Sequence, residues 1–249
     1  MVQASALLFC SAERAEALGI PREQWIFPLA SAECGHMLSV AQRRELHRVP
    51  GAQVAAHAMF EATGSEPGEL DLVELYSCFP VAVESYAAEI GVDLSRDLTV
   101  TGGMPFAGGP LNNYVLQSTC RMVELLRERS GSTGMVTSVS GLLTKQGIGL
   151  WSTEPGRSPF QFIDVTEEVA RDNPPVEVVE SYTGEATVAG YTVMYQLGEP
   201  HRAVAMVDTP EGQRAVVFNE EAPVMQALES GEYCGRTVQC RGTRFDLCD

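Results

Sequence analysis

Three successive residues, Tyr76, Ser77 and Cys78, offer a phenol, an alcohol and a thiol immediately before Phe79-Pro80. Each side chain can hydrogen-bond a ligand, and each becomes a nucleophile when deprotonated. Two further groups follow along the chain. "TGGMPFAGGP" (101–110) ends in Gly108, Gly109 and Pro110 and runs into Asn112, Asn113 and Tyr114, a pattern able to cradle an anion or a thioester because paired glycines permit positive φ and close backbone approach. "SVSGLLTKQG" (138–147) brings Ser138, Ser140, Gly141, Gln146 and Lys145, the only lysine in the chain. The glycine stretch is not a Walker loop, because no Gly-Lys-Ser/Thr follows it. Each group also has a purely structural reading. Ser77 can cap a helix while Cys78 and Tyr76 pack, Pro110 can simply start a helix, and a hairpin needs small polar residues for its own turn.

The elements that would position these groups alternate. "ASALLFCS" (4–11) reads as a buried strand and is followed by a short helix that Ser11 caps and Gly19 ends. "WIFPLASAE" is a second strand, "GAQVAAHAMFEATG" (51–64) a helix stopping at Gly64, "LDLVELYS" (70–77) a strand, and "PVAVESYAAEIG" (80–91) a helix from Pro80 to Gly91. "LTVTGGMPFAGGP" (98–110) reads as a strand entering a glycine loop, residues 111–131 as the longest amphipathic helix, and residues 134–153 as two strands joined by a turn. This is an α/β layered domain of sheet and helices over residues 1–160. After a connection at 161–175, residues 176–249 hold about five short alternating strands and one helix, "EAPVMQALESG", the pattern of a small closed β-barrel. The three chemical groups then lie at three strand ends, where α/β folds gather their ligands.

Composition narrows the chemistry. The 249 residues are 45% hydrophobic and 20% charged, with mean hydropathy −0.03, as in an ordinary globular protein. No apolar run reaches the length of a membrane span, and the first residues lack a basic leader region, so the expected location is cytoplasmic. Seven cysteines (10, 34, 78, 120, 234, 240, 248) and four histidines (36, 47, 57, 201) are scattered without Cys-x-x-Cys or other ligand spacing, which excludes a disulfide framework and a metal site. Net charge is −16, from 17 basic and 33 acidic residues, and residues 165–249 alone carry 15 acidic against 6 basic. An acidic barrel without a basic groove does not bind nucleic acid.

In their order, the three groups resemble the carboxyl-terminal half of the thiolase superfamily. There a strand ending in an Asn-Glu-Ala-Phe type turn, a Gly-His-Pro loop and a Cys-x-Gly hairpin converge on one acyl-CoA site. The corresponding residues here are Tyr76-Ser77-Cys78-Phe79-Pro80, Gly108-Gly109-Pro110 and Ser138-Val139-Ser140-Gly141, and the resemblance covers about residues 1–155. "LYSCFP" and "LTK" are similar to stretches in sterol-carrier-protein-thiolase-like acetyl-CoA acetyltransferases. The tail, with "AMVDTPEGQRAVVF", looks like the additional OB-like carboxyl-terminal domain of thiolase-like proteins of type 1.

The resemblance implies an acyltransferase acting on acyl-CoA or coenzyme A as substrate, with no permanently bound cofactor. The partners it implies are an amino-terminal thiolase half, on the same polypeptide or a separate subunit, or further copies of this chain. It implies catalytic roles for Tyr76, Cys78, Tyr114 and Ser140, and substrate contacts at Gly108, Gly109, Pro110, Asn112, Asn113, Gly141 and Lys145. The departures weigh against simple thiolase chemistry. The family's nucleophilic cysteine belongs to the amino-terminal half, Gly109 stands where its histidine should be, and serines stand near the expected acid/base cysteine, where an alcohol cannot exchange protons near neutral pH. The alternatives are an acyl-CoA retro-aldol lyase using tyrosines beside an OB-fold partner, or an inactive acyl-CoA-binding scaffold.

Overall fold

Strand alternation and small-residue helix faces account for the first layer of structure. The computed structural model describes residues 3–248. It divides into two units, one of residues up to Met37 with His47–Asp172, the other of Leu38–Leu46 with residues from Asn173 onward.

In the first unit, α1 (Ala12–Ala17) is capped by the Ser11 side chain, and β1 (Phe27–Cys34) leads to α2 (Pro50–Thr63), which ends at left-handed Gly64. Then come β2 (Leu72–Glu74), α3 (Pro80–Ile90), the one-turn α4 (Met104–Ala107) and α5 (Tyr114–Arg127). The hairpin of β3 (Thr133–Ser140) and β4 (Lys145–Ser152) precedes β5 (Gln161–Asp164) and α6 (Thr166–Asp172). The sheet order is β2-β3-β4-β1-β5, with β2 parallel to β3, β4 antiparallel to both its neighbours, and β5 parallel to β1.

Successive residues of the strands point to opposite faces. Val73, Met135, Ile148, Leu150, Ala30 and Ala32 meet α2 and α3 on one face, while Leu72, Val136 and Trp151 meet Met122 and Leu126 of α5 on the other. Close approach is set by glycines. A Cβ on Gly51 would lie 2.9 Å from the Cys34 sulfur, and one on Gly134 would collide with Met122. Both helices therefore sit directly on the strands.

Two sequence expectations fail. Residues 4–11 form no strand, and 98–103 form none either, although Leu98 accepts a backbone bond from Leu75 at 2.9 Å. β2 is an edge strand with a free side, but beyond Leu98 the chain turns its Thr99, Val100 and Thr101 donors to the Glu74 side chain instead of continuing a ladder. Residues 161–172, read from sequence as part of a connection, carry β5 and α6.

The second unit contains β6 (Val178–Val179), β7 (Tyr182–Gln196), β8 (Glu199–Asp208), β9 (Arg214–Asn219), α7 (Ala222–Ser230), β10 (Thr237–Gly242) and β11 (Arg244–Leu247). The order β11-β10-β7-β8-β9 closes into a five-stranded barrel through β11–β9 pairing, with β6 added beside β9. Its interior is small and branched, with Ala203, Ala205, Val207, Val217, Val238 and Phe245 fully buried.

Residues 38–46 are held to this barrel by Arg214, which is 1% exposed. Its guanidinium binds Asp208 at 2.7 Å and donates to the carbonyls of Ala41, Arg43 and Arg44. Arg214→Met removes every one of these donors. The expected cost is about 2–4 kcal/mol in urea unfolding of the barrel, and an unchanged midpoint would show that the segment is held by something else.

A second ionic anchor lies in the first unit. Glu89 of α3 accepts from Arg48 Nε and Nη2 at 2.7 and 2.9 Å and from the Val49 amide at 2.8 Å. Burial would raise its pKa, but the Arg48 bonds, the Val49 amide and the Arg48 charge together hold it below the ordinary carboxylate value. Its contribution is therefore present above the unfolded carboxylate pKa of about 4.3 and is lost as pH falls through the folded value. Glu89→Gln is expected to lower stability by about 1–3 kcal/mol at pH 7, with the gap to wild type shrinking below pH 4. A gap independent of pH would refute the assignment.

Candidate functional site

Parallel pairing of β2 and β3 carries both strands out of the sheet at the same end, and β4 starts there because it returns antiparallel. The turn after β2, the glycine loop and the β3–β4 hairpin thus share one edge. At its centre is a residue that sequence analysis passed over, Glu74, whose side chain is fully buried. Its Oε1 accepts the Tyr114 hydroxyl at 2.5 Å and the Thr101 hydroxyl at 3.2 Å. Its Oε2 accepts the Thr99 hydroxyl at 2.9 Å and the Val100 amide at 2.6 Å. A buried carboxylate is tolerated only with such complete pairing.

Tyr114, the first residue of α5, is itself 1% exposed. Its hydroxyl lies 2.9 Å from Thr101 Oγ1 and 3.3 Å from Ser77 Oγ, and its ring meets the Tyr76 ring edge-on at 5.5 Å. Ser77 does not cap α3, whose first turn has no side-chain cap. Instead Ser77 Oγ accepts the Met104 amide at 3.0 Å and so fixes the start of α4 in the glycine loop. The Tyr76 amide donates to Thr137 Oγ1 at 2.9 Å, and the Tyr86 hydroxyl to the Ser138 carbonyl at 3.0 Å, tying the turn and α3 to β3.

These surroundings decide what the tyrosines can do. Burial first, and then the bond to Glu74, push the Tyr114 pKa up to about 12, against smaller opposing effects of Ser77 and Thr101. Burial raises Tyr76 also, with Cys78 adding to it. At pH 7 about one Tyr114 in 10⁵ is ionised. It anchors the site as a donor to Glu74.

The remaining sequence candidates are placed as follows. Cys78 is exposed at the turn. Gly108 has φ of 80°, and Gly109 lies against Met104, whose terminal methyl is 3.0 Å from where a Cβ would be. A larger residue there would have to displace that thioether. Pro110 opens the short turn before α5 and Asn112 is exposed, while the Asn113 amide turns away to Gln3 and Ser5 at 3.4 Å. Ser140, Gly141 and Lys145 lie exposed on the hairpin turn, with Ser140 paired opposite Lys145. Thus Ser77, Tyr114 and the glycine loop form one hydrogen-bonded unit with the Tyr76 ring packed against it, and the hairpin residues share its sheet end. Thr99, Thr101 and Met104 complete the unit. No local sequence signal marks them, because Glu74 and its donors Thr99, Val100 and Thr101 lie about 25 residues apart in the chain.

Among the described residues no group of three His, Cys, Asp or Glu side chains is arranged to hold a metal ion, and no helix is long and apolar enough to cross a membrane.

Tyr114→Phe leaves Glu74 short of a donor and is expected to cost about 1–3 kcal/mol at pH 7. Because the folded pKa is raised above the ordinary 10, the tyrosine's contribution is complete below pH 10 and is lost as pH rises toward 12. Thermal melts should therefore show the wild-type advantage narrowing over that window, and an advantage constant with pH would contradict the Glu74 bond.

Comparison with known proteins agrees with this architecture. Residues 164–244 match the family model of the thiolase-like protein type 1 additional C-terminal domain. The chain is 28% identical over 146 residues to an acetyl-CoA acetyltransferase of Methanothermobacter thermautotrophicus, covering 51% of this chain and 37% of that protein. It is 28% identical over 141 residues to a 3-ketoacyl-CoA thiolase of Aeromonas salmonicida, covering 56% and 34%. Among solved structures it is similar to a monomeric SCP2-thiolase-like protein type 1 from Mycobacterium smegmatis, with a TM-score of 0.81 and 25% identity over 96% of this chain and 54% of that one. The chain spans about half the length of that solved protein and little more than a third of the curated relatives. In sequence and in fold it is similar to the thiolase superfamily, in the branch of the SCP2-thiolase-like proteins of type 1, and its second unit carries that branch's additional carboxyl-terminal domain.

Proposed function

We propose that this chain contributes the carboxyl-terminal half of an acyl-CoA site of the thiolase-like acyltransferase kind. The observation that carries this reading is the hydrogen-bonded pair of Ser77 and Tyr114, with the Tyr76 ring packed edge-on against Tyr114, held to the start of the glycine loop through Glu74 at the strand ends where α/β folds bind ligands. The names of the relatives support an acyl thioester as the substrate class. Acyl-CoA or coenzyme A would enter as substrate, its thioester lying over the exposed edge formed by Cys78, Ser140 and Lys145.

Turnover would require more than this cluster supplies. Hydroxyls make up the cluster, Tyr114 keeps its proton, and the Cys78 thiol lies exposed on the turn. Residues from a second α/β half would complete the chemistry. The α5 side of the first unit supports such a partner, for it holds an open apolar cavity of about 1260 Å³ lined by Phe9, Trp25, Phe27, Val123, Trp151 and Phe160. A contiguous apolar surface of that kind marks an interaction site. A second reading, acyl-CoA binding without turnover, is favoured by the Tyr114 proton being committed to Glu74, which also counts against Tyr114 as the acid of a retro-aldol lyase.

Calorimetric titration with acetyl-CoA is expected to saturate, and Tyr76→Ala to weaken binding at least tenfold, about 1.4 kcal/mol, without unfolding the chain. A folded wild type that takes up no coenzyme A ester would remove this reading.

A further inference from the structure

β1 ends at Cys34 and α2 begins at Pro50, and the connection between them, residues 35–49, has a single turn of 3-10 helix, Val40–Gln42, as its regular structure. Connections of that length are uncommon in compact domains and are usually functional. Both ends of this one are fixed within the first unit. The Gly35 amide donates to Thr166 Oγ1 at 2.8 Å, and Arg48 and the Val49 amide are held by Glu89. The middle, residues 38–46, belongs to the second unit, and a segment so short does not keep its shape unaided.

The barrel holds this segment by its main chain. The Arg214 guanidinium donates to the carbonyls of Ala41, Arg43 and Arg44, and the Val176 amide donates to the Gln42 carbonyl at 2.8 Å, so four successive carbonyls are taken up. Leu46 then enters a notch at Gly190, where a Cβ would lie 2.8 Å from its Cδ1, and the register of β7 against β8 shifts at the same glycine. Both bonds of Arg214 Nη1 go to the segment. Its release would leave a buried donor without an acceptor, which is costly.

Leu38, where this hold begins, is covalently joined to Met37 at the strand-end edge of the first unit. The Met37 thioether lies 3.5 Å from where a Gly141 Cβ would be. The turn it touches has three consecutive positive φ angles, at Gly141 (58°), Leu142 (54°) and Leu143 (67°). A leucine keeps that conformation only where its surroundings enforce it. Thr144 Oγ1 and Gln146 Nε2 do so by donating to the Gly141 and Leu143 carbonyls, each at 2.5 Å, and Met37 packs on the turn from the β1–α2 connection. The same hairpin carries Ser140 and Lys145.

We propose that the barrel controls the acyl-CoA edge of the first unit through this connection, with Arg214 as a positioning residue. With residues 38–46 held, Met37 is fixed beside the Gly141 turn; with them released, the turn loses that support. This rests on the acyl-CoA reading given above and names the regulation of the same site. The two-state element is the segment, held or released. By linkage, a coenzyme A ester that needs the ordered turn must in return slow the release of residues 38–46.

The test is hydrogen–deuterium exchange of the full chain, read by mass spectrometry, with calorimetric titration of acetyl-CoA, for wild type, Arg214→Met and Leu46→Ala. Arg214→Met is expected to speed exchange at 38–46 at least about tenfold, to speed it also at 139–145, and to leave α3 and α5 at wild-type rates. Its affinity for acetyl-CoA should fall about fivefold or more. Leu46→Ala, which keeps the guanidinium bonds, should move the same two segments in the same direction by less, and acetyl-CoA should slow exchange at 38–46 in the wild type. Exchange at 139–145 is the readout that a purely structural role of Arg214 within the barrel would not move. Fast exchange confined to the second unit, with wild-type rates at 139–145 and unchanged affinity, would overturn this inference and leave the acyl-CoA site in place, even if Arg214→Met had unfolded the whole barrel. A folded wild type that binds no acetyl-CoA would overturn the acyl-CoA reading, and the control of that site with it.

Discussion

The site depends on one buried carboxylate. Glu74 ends the edge strand β2 with its side chain fully buried, so a carboxylate there is tolerated only because four donors converge on it. Those donors are the reason the loops have a fixed shape. Thr99, Val100 and Thr101 are drawn into line beside β2 without joining the sheet, and Tyr114 pins the start of α5 to the same point. The glycines at 102, 103 and 108, all at positive φ, then fold the loop between two fixed ends. A glutamine at position 74 would present an amide nitrogen either to two hydroxyls, of Tyr114 and Thr101, or to the Thr99 hydroxyl and the Val100 amide, where an acceptor is needed. Removing the charge would therefore cost more than one hydrogen bond, because the array is satisfied as a whole.

The same constraint limits the chemistry. A tyrosine that donates to a buried carboxylate is harder to ionise, and burial adds to the effect, so the residue best placed between Ser77 and the glycine loop is also the one least able to release a proton. Ser77 accepts the Met104 amide, and Gly109 is backed by the Met104 thioether. The edge is consequently well organised for holding a polar group and poorly equipped for proton transfer. Such an edge suits one side of a site whose reacting groups come from elsewhere.

Much of this was legible in the sequence because it is locally encoded. The helices at Pro50–Thr63 and Pro80–Ile90 announce their ends with Gly64 and Gly91, and the β3–β4 hairpin with alternating residues about a small polar turn. The barrel strands show period-two alternation through Ala203, Ala205 and Val207. What failed was non-local. Residues 4–11 are apolar enough for a strand, but they pair with no strand of this sheet. Glu74 was invisible as a centre because its donors return from about 25 residues further on, and nothing in "VELYS" distinguishes a buried acid from a solvent-facing one. The attachment of residues 38–46 to the barrel through Arg214 was hidden for the same reason, since its partners lie some 170 residues apart in the chain.

Left-handed leucines are the clearest case of information absent from residue type. Leu197, like Leu142 and Leu143, has positive φ, but it shares a two-residue turn with Gly198 between β7 and β8. Two-residue hairpin loops follow the strand twist only in the primed turn types, which require positive φ, so Leu197 has a local reason for its conformation. The loop from Gly141 to Thr144 has four residues, a length commonly built around a type I turn with no left-handed residue at its centre. Here Gly141, Leu142 and Leu143 all take positive φ as the chain reverses, at about 1–2 kcal/mol for each leucine. The buried Thr144 and Gln146 side chains hold the turn by its Gly141 and Leu143 carbonyls, and Leu142 is exposed. Residue type alone would place glycine at such positions, and here the bonds from Thr144 and Gln146 hold two leucines in the same conformation beside the rigid polar cluster.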